Sequence, residues 1–184
     1  TDGSNFSPIS ATPVKSKPSI VDDASVAVFV SEASQMHAIE MQSAEEYLLQ
    51  DQQIWDNVAV SKDGTKLAAI TTEIDSAIWV YDFALQQWAK FHLYNPTDGY
   101  GGVVINNVLF ADAIEWDYSG EYLIYDAYNV MENQSGQSID YWDVGFLHVW
   151  DNSTNSWGTG DIGKLFSTLP EGVSIGNPSF SKNS

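Results

Sequence analysis

Gly172-Val-Ser174-Ile-Gly176 fits G-x-S-x-G, the pattern in which a serine caps a sharp strand-to-helix turn and attacks an acyl group. Its surroundings argue against that chemistry. Leu-Pro-Glu precedes it, Asn-Pro follows where a helix should start, and no Asp, Glu or His stands after Ser174 to complete the hydrolase order. Ser174 is therefore expected in a loop, and no catalytic residue is assigned. A second candidate is the acidic group Asp112, Glu115, Asp117, Asp126, Asp140 and Asp143. Hard carboxylate oxygens at this density could serve Ca²⁺, which takes about six to eight oxygen ligands. No D-x-[DN]-x-[DN]-G loop is present, so solvated acidic loops are the expectation and Ca²⁺ the alternative. No cofactor is assigned.

Aromatic residues in two insertions point further. Tyr94-Asn-Pro-Thr-Asp-Gly-Tyr100-Gly-Gly102 and the stretch from Tyr128 to Trp142 both read as long loops on a rigid scaffold, where recognition concentrates. Tyrosine and tryptophan offer large contact area at low entropic cost, so Tyr94, Tyr100, Tyr128, Tyr141 and Trp142 are the candidate contacts to a protein or a polysaccharide. The competing reading is that Tyr141 and Trp142 begin a core strand.

These residues must be held by strands. The chain of 184 residues is 43% hydrophobic and 13% aromatic, enough for a packed core. Its 7 Lys+Arg against 25 Asp+Glu give a net charge of −18, which excludes a nucleic-acid backbone as partner and disfavours an anionic membrane surface. Cysteine is absent, so disulfides and thiol chemistry drop out, and no apolar run is long enough to span a bilayer. Residues 1–17, rich in Ser, Thr and Pro, read as a flexible linker. Beyond them, short runs of Val, Ile, Tyr, Trp and Leu alternate with turn residues, the signature of strands.

The runs repeat. Asn57-Val-Ala-Val-Ser-Lys-Asp-Gly64 matches Ala113-Ile-Glu-Trp-Asp-Tyr-Ser-Gly120, then Asn177-Pro-Ser-Phe-Ser-Lys-Asn-Ser184, and more loosely Lys17-Pro-Ser-Ile-Val-Asp-Asp-Ala24. A second strand follows each turn, and a third ends in an acid: Met36-His-Ala-Ile-Glu40, Ile78-Trp-Val-Tyr-Asp82 and Leu147-His-Val-Trp-Asp151. Trp88 and Trp157 stand at one distance beyond that acid and mark a fourth strand. The interval from turn 24 to turn 64 suits a propeller blade of about 40–45 residues, and the next two are blades lengthened by insertions. The expected fold is all-β, an incomplete β-propeller of four-stranded antiparallel blades at 18–56, 57–112 and 113–176, with a further blade starting at 177–184. His37 and His148 then share the register of Trp79 on different blades, where structural histidines are expected; His92 has no such placement.

VAVSKDGTKLAAIT followed by IWVYD, and IEWDYSGEYLIYDA followed by LHVWD, resemble the repeats of TolB-type β-propellers, in which a Ser-Pro-Asp-Gly-like turn joins the first two strands and Tyr/Trp-Asp ends the third. Lys62 replaces the usual Pro, Tyr118-Ser119 the Asp before Gly120, and Asp23-Ala24 the Asp-Gly. The resemblance implies a non-catalytic binding scaffold, exported beyond the cytoplasm to the periplasm, cell surface or medium. The alternative is the regulatory propeller of a prolyl-oligopeptidase-type hydrolase whose catalytic domain lies outside this chain. Propellers close with about 4–8 blades, so the rest of the ring is expected from the same protein, a partner chain or a second copy.

Overall fold

The computed structural model describes residues 8–96, 105–132, 135–166, 169–170 and 172–181. Three four-stranded antiparallel meanders follow one another along the chain. The first contains β1 (Ser19–Ile20), β2 (Val26–Val30), β3 (Met36–Glu40) and β4 (Glu46–Gln50). The second contains β5 (Trp55–Val60), β6 (Lys66–Thr71), β7 (Ala77–Asp82) and β8 (Gln87–His92). The third opens with β9 (Ile105–Trp116), β10 (Tyr122–Glu132) and β11 (Ser138–His148); a small hairpin of β12 (Trp150–Asp151) and β13 (Ser156–Trp157) follows, and β14 (Ile162–Lys164) closes the sheet against β11. The fold is all-β, and the sheets are blades of an open, incomplete propeller. The first strands β1, β5 and β9 come together from sheet to sheet, as wedges do near an axis. Among the described residues no helix is long and apolar enough to cross a membrane.

The repeat is written in the backbone as well as in the residues. Ala24, Gly64 and Gly120 all have left-handed φ, at 56°, 73° and 71°. Each donates its N–H to the carbonyl three residues back, on Val21, Ser61 and Asp117. The turn between third and fourth strands repeats likewise, with Ala44, Gln86 and Asn155 at φ 58°, 54° and 51°. The acid ending the third strand caps this turn in the later two blades: Asp82 accepts from Leu85 N–H at 2.6 Å, and Asp151 from Ser153 N–H at 2.8 Å. The cross-strand pairs match too, Tyr81 with Trp88 and Trp150 with Trp157.

Alternation along the strands makes two inter-blade cores. Val28, Val30, Met36 and Ala38 of the first blade meet Trp55, Val58, Val60, Leu67 and Ala69 of the second. The opposite face of the second blade, with Ala68, Ile70, Ile78, Val80 and Phe91, meets Val108, Ile114, Trp116, Leu123, Tyr125 and Leu147 of the third. Trp116 is wholly buried there, and its indole N–H donates to the carbonyl of Ala59 on the inner strand next door at 3.0 Å. Burying so large a ring and satisfying its one polar atom ties the two blades together; truncation to alanine would cost about 3–5 kcal/mol.

The chain's own flanking segments cross part of each outward face. Ser10 and Thr12 hydrogen-bond Glu46 on β4, and Val14 bridges Ser31 just past β2, so residues 10–14 cross the outer face of the first blade. Phe29 and Ile39 on that face are each 2% exposed. The described part of the expected linker is thus laid along the sheet, because its hydroxyls find a buried-edge carboxylate and its backbone finds the end of β2. At the other end, Ile175 donates its N–H to the Trp142 carbonyl, Asn177 to Asp126, and Phe180 packs 6.4 Å from Phe146. Residues 177–181, expected to begin a blade, form no strand and lie over the third sheet.

The third blade differs most from expectation. Its first three strands continue well past the blade, so the boundary drawn at 112/113 falls inside β9, at a bulge where Asp112 and Ala113 oppose a single residue of β10. The stretch from Tyr128 to Trp142 is therefore no rim loop: its described residues continue β10 and β11, paired from Tyr128–Trp142 to Glu132–Ser138. Tyrosine, valine and isoleucine at alternate positions favour extension here. The small hairpin β12–β13 exists because Val149 and Trp150 both donate to the carbonyl of Glu121, a bulge that sets Asp151 apart from the main ladder. Gly158 lies so close to this bulge that a Cβ would sit 2.8 Å from its backbone atoms.

Candidate functional site

Period-two alternation splits the candidate contacts between the two faces of the third sheet. Tyr141 shares a face with Asp143 on β11 and Asn129 on β10, turned toward the second blade, where Tyr94 and Asn95 cross from β8. Asn95 is the hub. Its amide N–H groups reach Asn129 Oδ1 at 3.0 Å and Tyr141 Oη at 2.8 Å, and its Oδ1 accepts from Lys164 Nζ at 3.1 Å. Lys164 pairs with the buried carboxylate of Asp143 and lies 5.6 Å over the Tyr141 ring. Tyr94 Oη accepts from the Ile162 N–H at 3.3 Å. Burial first, then the charge of Asp143, pushes the neighbouring Tyr125 hydroxyl far above its ordinary pKa. The cleft these groups line has room for about one water molecule. Its charges neutralise each other and its amides are spent internally, so it acts as a polar rivet between blades.

The opposite face carries the other two candidates. Phe110 pairs across strands with Tyr128, and Tyr128 with Trp142, a cross-strand row of three half-buried residues over β9, β10 and β11 whose rings pack into one cluster. Ring centroids lie 5.5 Å apart for Phe110–Tyr128, 5.4 Å for Tyr128–Trp142 and 5.5 Å for Phe110–Trp142, with planes at 32°, 50° and 81°. Tyr128 Oη donates to Asp140 at 2.7 Å, and that hydrogen bond raises the tyrosine pKa. Tyr100 lies outside the described residues. Sequence reasoning missed Phe110, although alternation along β9 marks it as facing the same side as Tyr128. It also missed Asn95 and Lys164, whose roles arise only when distant segments meet.

The remaining candidates have other partners. Ser174 Oγ accepts from the Trp142 N–H at 3.1 Å, so it fastens the last segment to β11. The histidines sit on three different sheets: His37 faces Glu46 at 2.9 Å, His148 lies on Tyr122 with its Nδ1 3.2 Å from Thr159, and His92 ends β8. Among the carboxylates, Asp126 accepts from the bulge N–H groups of Ala113 at 2.7 Å and Asp112 at 3.3 Å, and from Asn177 at 2.7 Å. Asp117 caps its turn through Ser119, Glu121 and Tyr122, and Glu115 faces Lys62. Burial, then the charges of Asp126 and Asp56, raises the pKa of Asp112. Among the described residues no group of three or more His, Asp or Glu is placed to hold a metal ion.

No family model matches the chain, and no curated protein matches it either.

Proposed function

We propose that this protein is a non-catalytic binding scaffold, a TolB-like propeller exported from the cytoplasm, which presents the Phe110–Tyr128–Trp142 row to a macromolecular partner. The row carries the proposal. Three aromatic side chains stand on one face of a hairpin that runs past the blade, and the blade itself needs none of that extension to complete its meander. Rigid aromatic area on a fixed scaffold is what recognition surfaces are built from. The repeat blocks that resemble TolB-type propellers support the family reading, and the charge of −18 supports a soluble surface that repels acidic partners.

The experiment is site-directed photo-cross-linking in the intact natural protein. A benzophenone amino acid replaces Tyr128 in one variant and Tyr47, exposed on the outer edge of the first blade, in another. A discrete adduct from position 128 and none from position 47 is the expected result. Adducts at both positions alike, or at neither, overturn the proposal.

A further inference from the structure

Resting on the scaffold reading, the geometry points to the partner's chemistry: we infer that the aromatic row seats a basic, extended segment of another protein, whose lysine or arginine stems lie on the rings and whose heads reach Asp140. The ring angles argue first. Planes inclined at 32°, 50° and, for Phe110 against Trp142, 81° make a ridged surface with no common plane. A polysaccharide stacks its flat sugar faces on coplanar rings, whereas flexible aliphatic stems can lie across an uneven cluster.

The charges argue second. Asp140 is exposed at the edge of the row, already oriented by the Tyr128 hydroxyl. Among the described residues the lysine ion pairs are Lys15–Asp56, Lys62–Glu115, Lys90–Asp75 and Lys164–Asp143, and none of them reaches Asp140. No Lys or Arg occurs between Lys90 and Lys164, so the strands of the hairpin bring only negative charge to the surface, and Lys164 is turned to the opposite face. A cation placed over these rings beside that carboxylate gains from both the ring quadrupole and the charge. The chain uses the same contact internally, with Lys66 4.4 Å from the Trp150 ring centre and Lys90 4.9 Å from that of Trp79.

The test titrates the full chain with a peptide of alternating lysine and serine, with the same peptide acetylated on every lysine, and with a neutral glucan oligomer. Variants are Asp140→Asn, Trp142→Ala and, as control, Glu73→Gln on an exposed acid of the second blade. Thermal melts confirm folding, and Asp140→Asn, an exposed substitution, keeps the test alive if Trp142→Ala unfolds. The expected result is that only the lysine peptide binds, weakened about tenfold by either row variant and unchanged by Glu73→Gln. Equal loss in Asp140→Asn and Glu73→Gln would mean general attraction to a polyanion and overturns the inference. Binding of the acetylated peptide or the glucan that depends on Trp142 also overturns it, while leaving the scaffold reading intact. Failure of all three ligands with the Tyr128 cross-link retained sinks this inference alone; failure of both sinks the scaffold as well.

Discussion

The Asp126 carboxylate accepts the Asn177 backbone N–H at 2.7 Å on one oxygen while its other oxygen takes the Ala113 N–H, also at 2.7 Å. One buried side chain thereby closes the bulge in β9 and pins the segment that covers the third blade. Such a carboxylate, with its lone pairs used by backbone donors, is a brace between an irregularity and the chain that passes over it.

Removing the brace should unfasten both. Asp126→Ala leaves buried N–H groups unsatisfied and should destabilise the protein by about 2–4 kcal/mol in urea unfolding. Asp126→Asn separates the two roles, since its amide oxygen can still accept from Ala113 but its NH₂ meets the Asn177 N–H donor to donor. Amide exchange at Asn177 should accelerate in that variant while exchange at Ala113 stays slow. Equal acceleration at both would show that the two contacts are not shared in this way.

The cover on the first blade should respond to acid. Glu46 accepts from the hydroxyls of Thr12 and Ser10 and faces His37, and the Thr12 hydrogen bond above all holds its pKa below the ordinary carboxylate value. A depressed folded pKa means the stabilisation is fully present above the unfolded value and is lost as pH falls through the folded one. Exchange of the Lys15 and Ser16 amides, both bonded to the Val30 carbonyl, should therefore quicken at acid pH before the blades melt. Thr12→Val should raise the Glu46 pKa in an NMR titration and move that release to higher pH. A Glu46 titration unchanged by Thr12→Val would refute the account.

The sequence carried the blades because their signals are local. Ser61-Lys-Asp-Gly64 and Asp117-Tyr-Ser-Gly120 specify a turn through four neighbouring residues, and Asp82 and Asp151 cap theirs through the next few. The aromatic row was half legible: Tyr128 and Trp142 stood out by type, but their neighbours Asn, Gln, Ser and Gly suggested a loop, and only the pairing of Tyr128 with Phe110 and Trp142 shows a strand. Glu46 with Thr12, and Lys164 with Asn95, join segments far apart in the chain, so no local pattern encodes them.

The pair of Lys164 and Asp143 offers a test of the rivet between the second and third blades. Both side chains are largely buried, at 10% and 4% exposure. Lys164→Met strands a buried carboxylate and should destabilise by about 3–5 kcal/mol. Adding Asp143→Asn to Lys164→Met removes the orphaned charge, and about half of that loss or more should return. Unfolding curves of the two singles and the double decide it; strict additivity would show that the charges are not coupled.

The first blade holds a substitution that the repeat itself recommends. Ala24 occupies the left-handed position that Gly64 and Gly120 fill in the next two blades, with the same hydrogen bond to the residue three before it. An L-residue there crowds its Cβ against the backbone, and glycine escapes that strain while giving up some entropy to the unfolded chain. Strain relief is the larger effect at a φ of 56°, so Ala24→Gly should raise stability by about 1 kcal/mol. Gly64→Ala should lower it by more than that, because its new Cβ also comes within 3.3 Å of Val21 Cγ1. Opposite signs for the two substitutions in thermal unfolding are the expected outcome; a loss of stability in Ala24→Gly would mean that this turn is not the equivalent of the others.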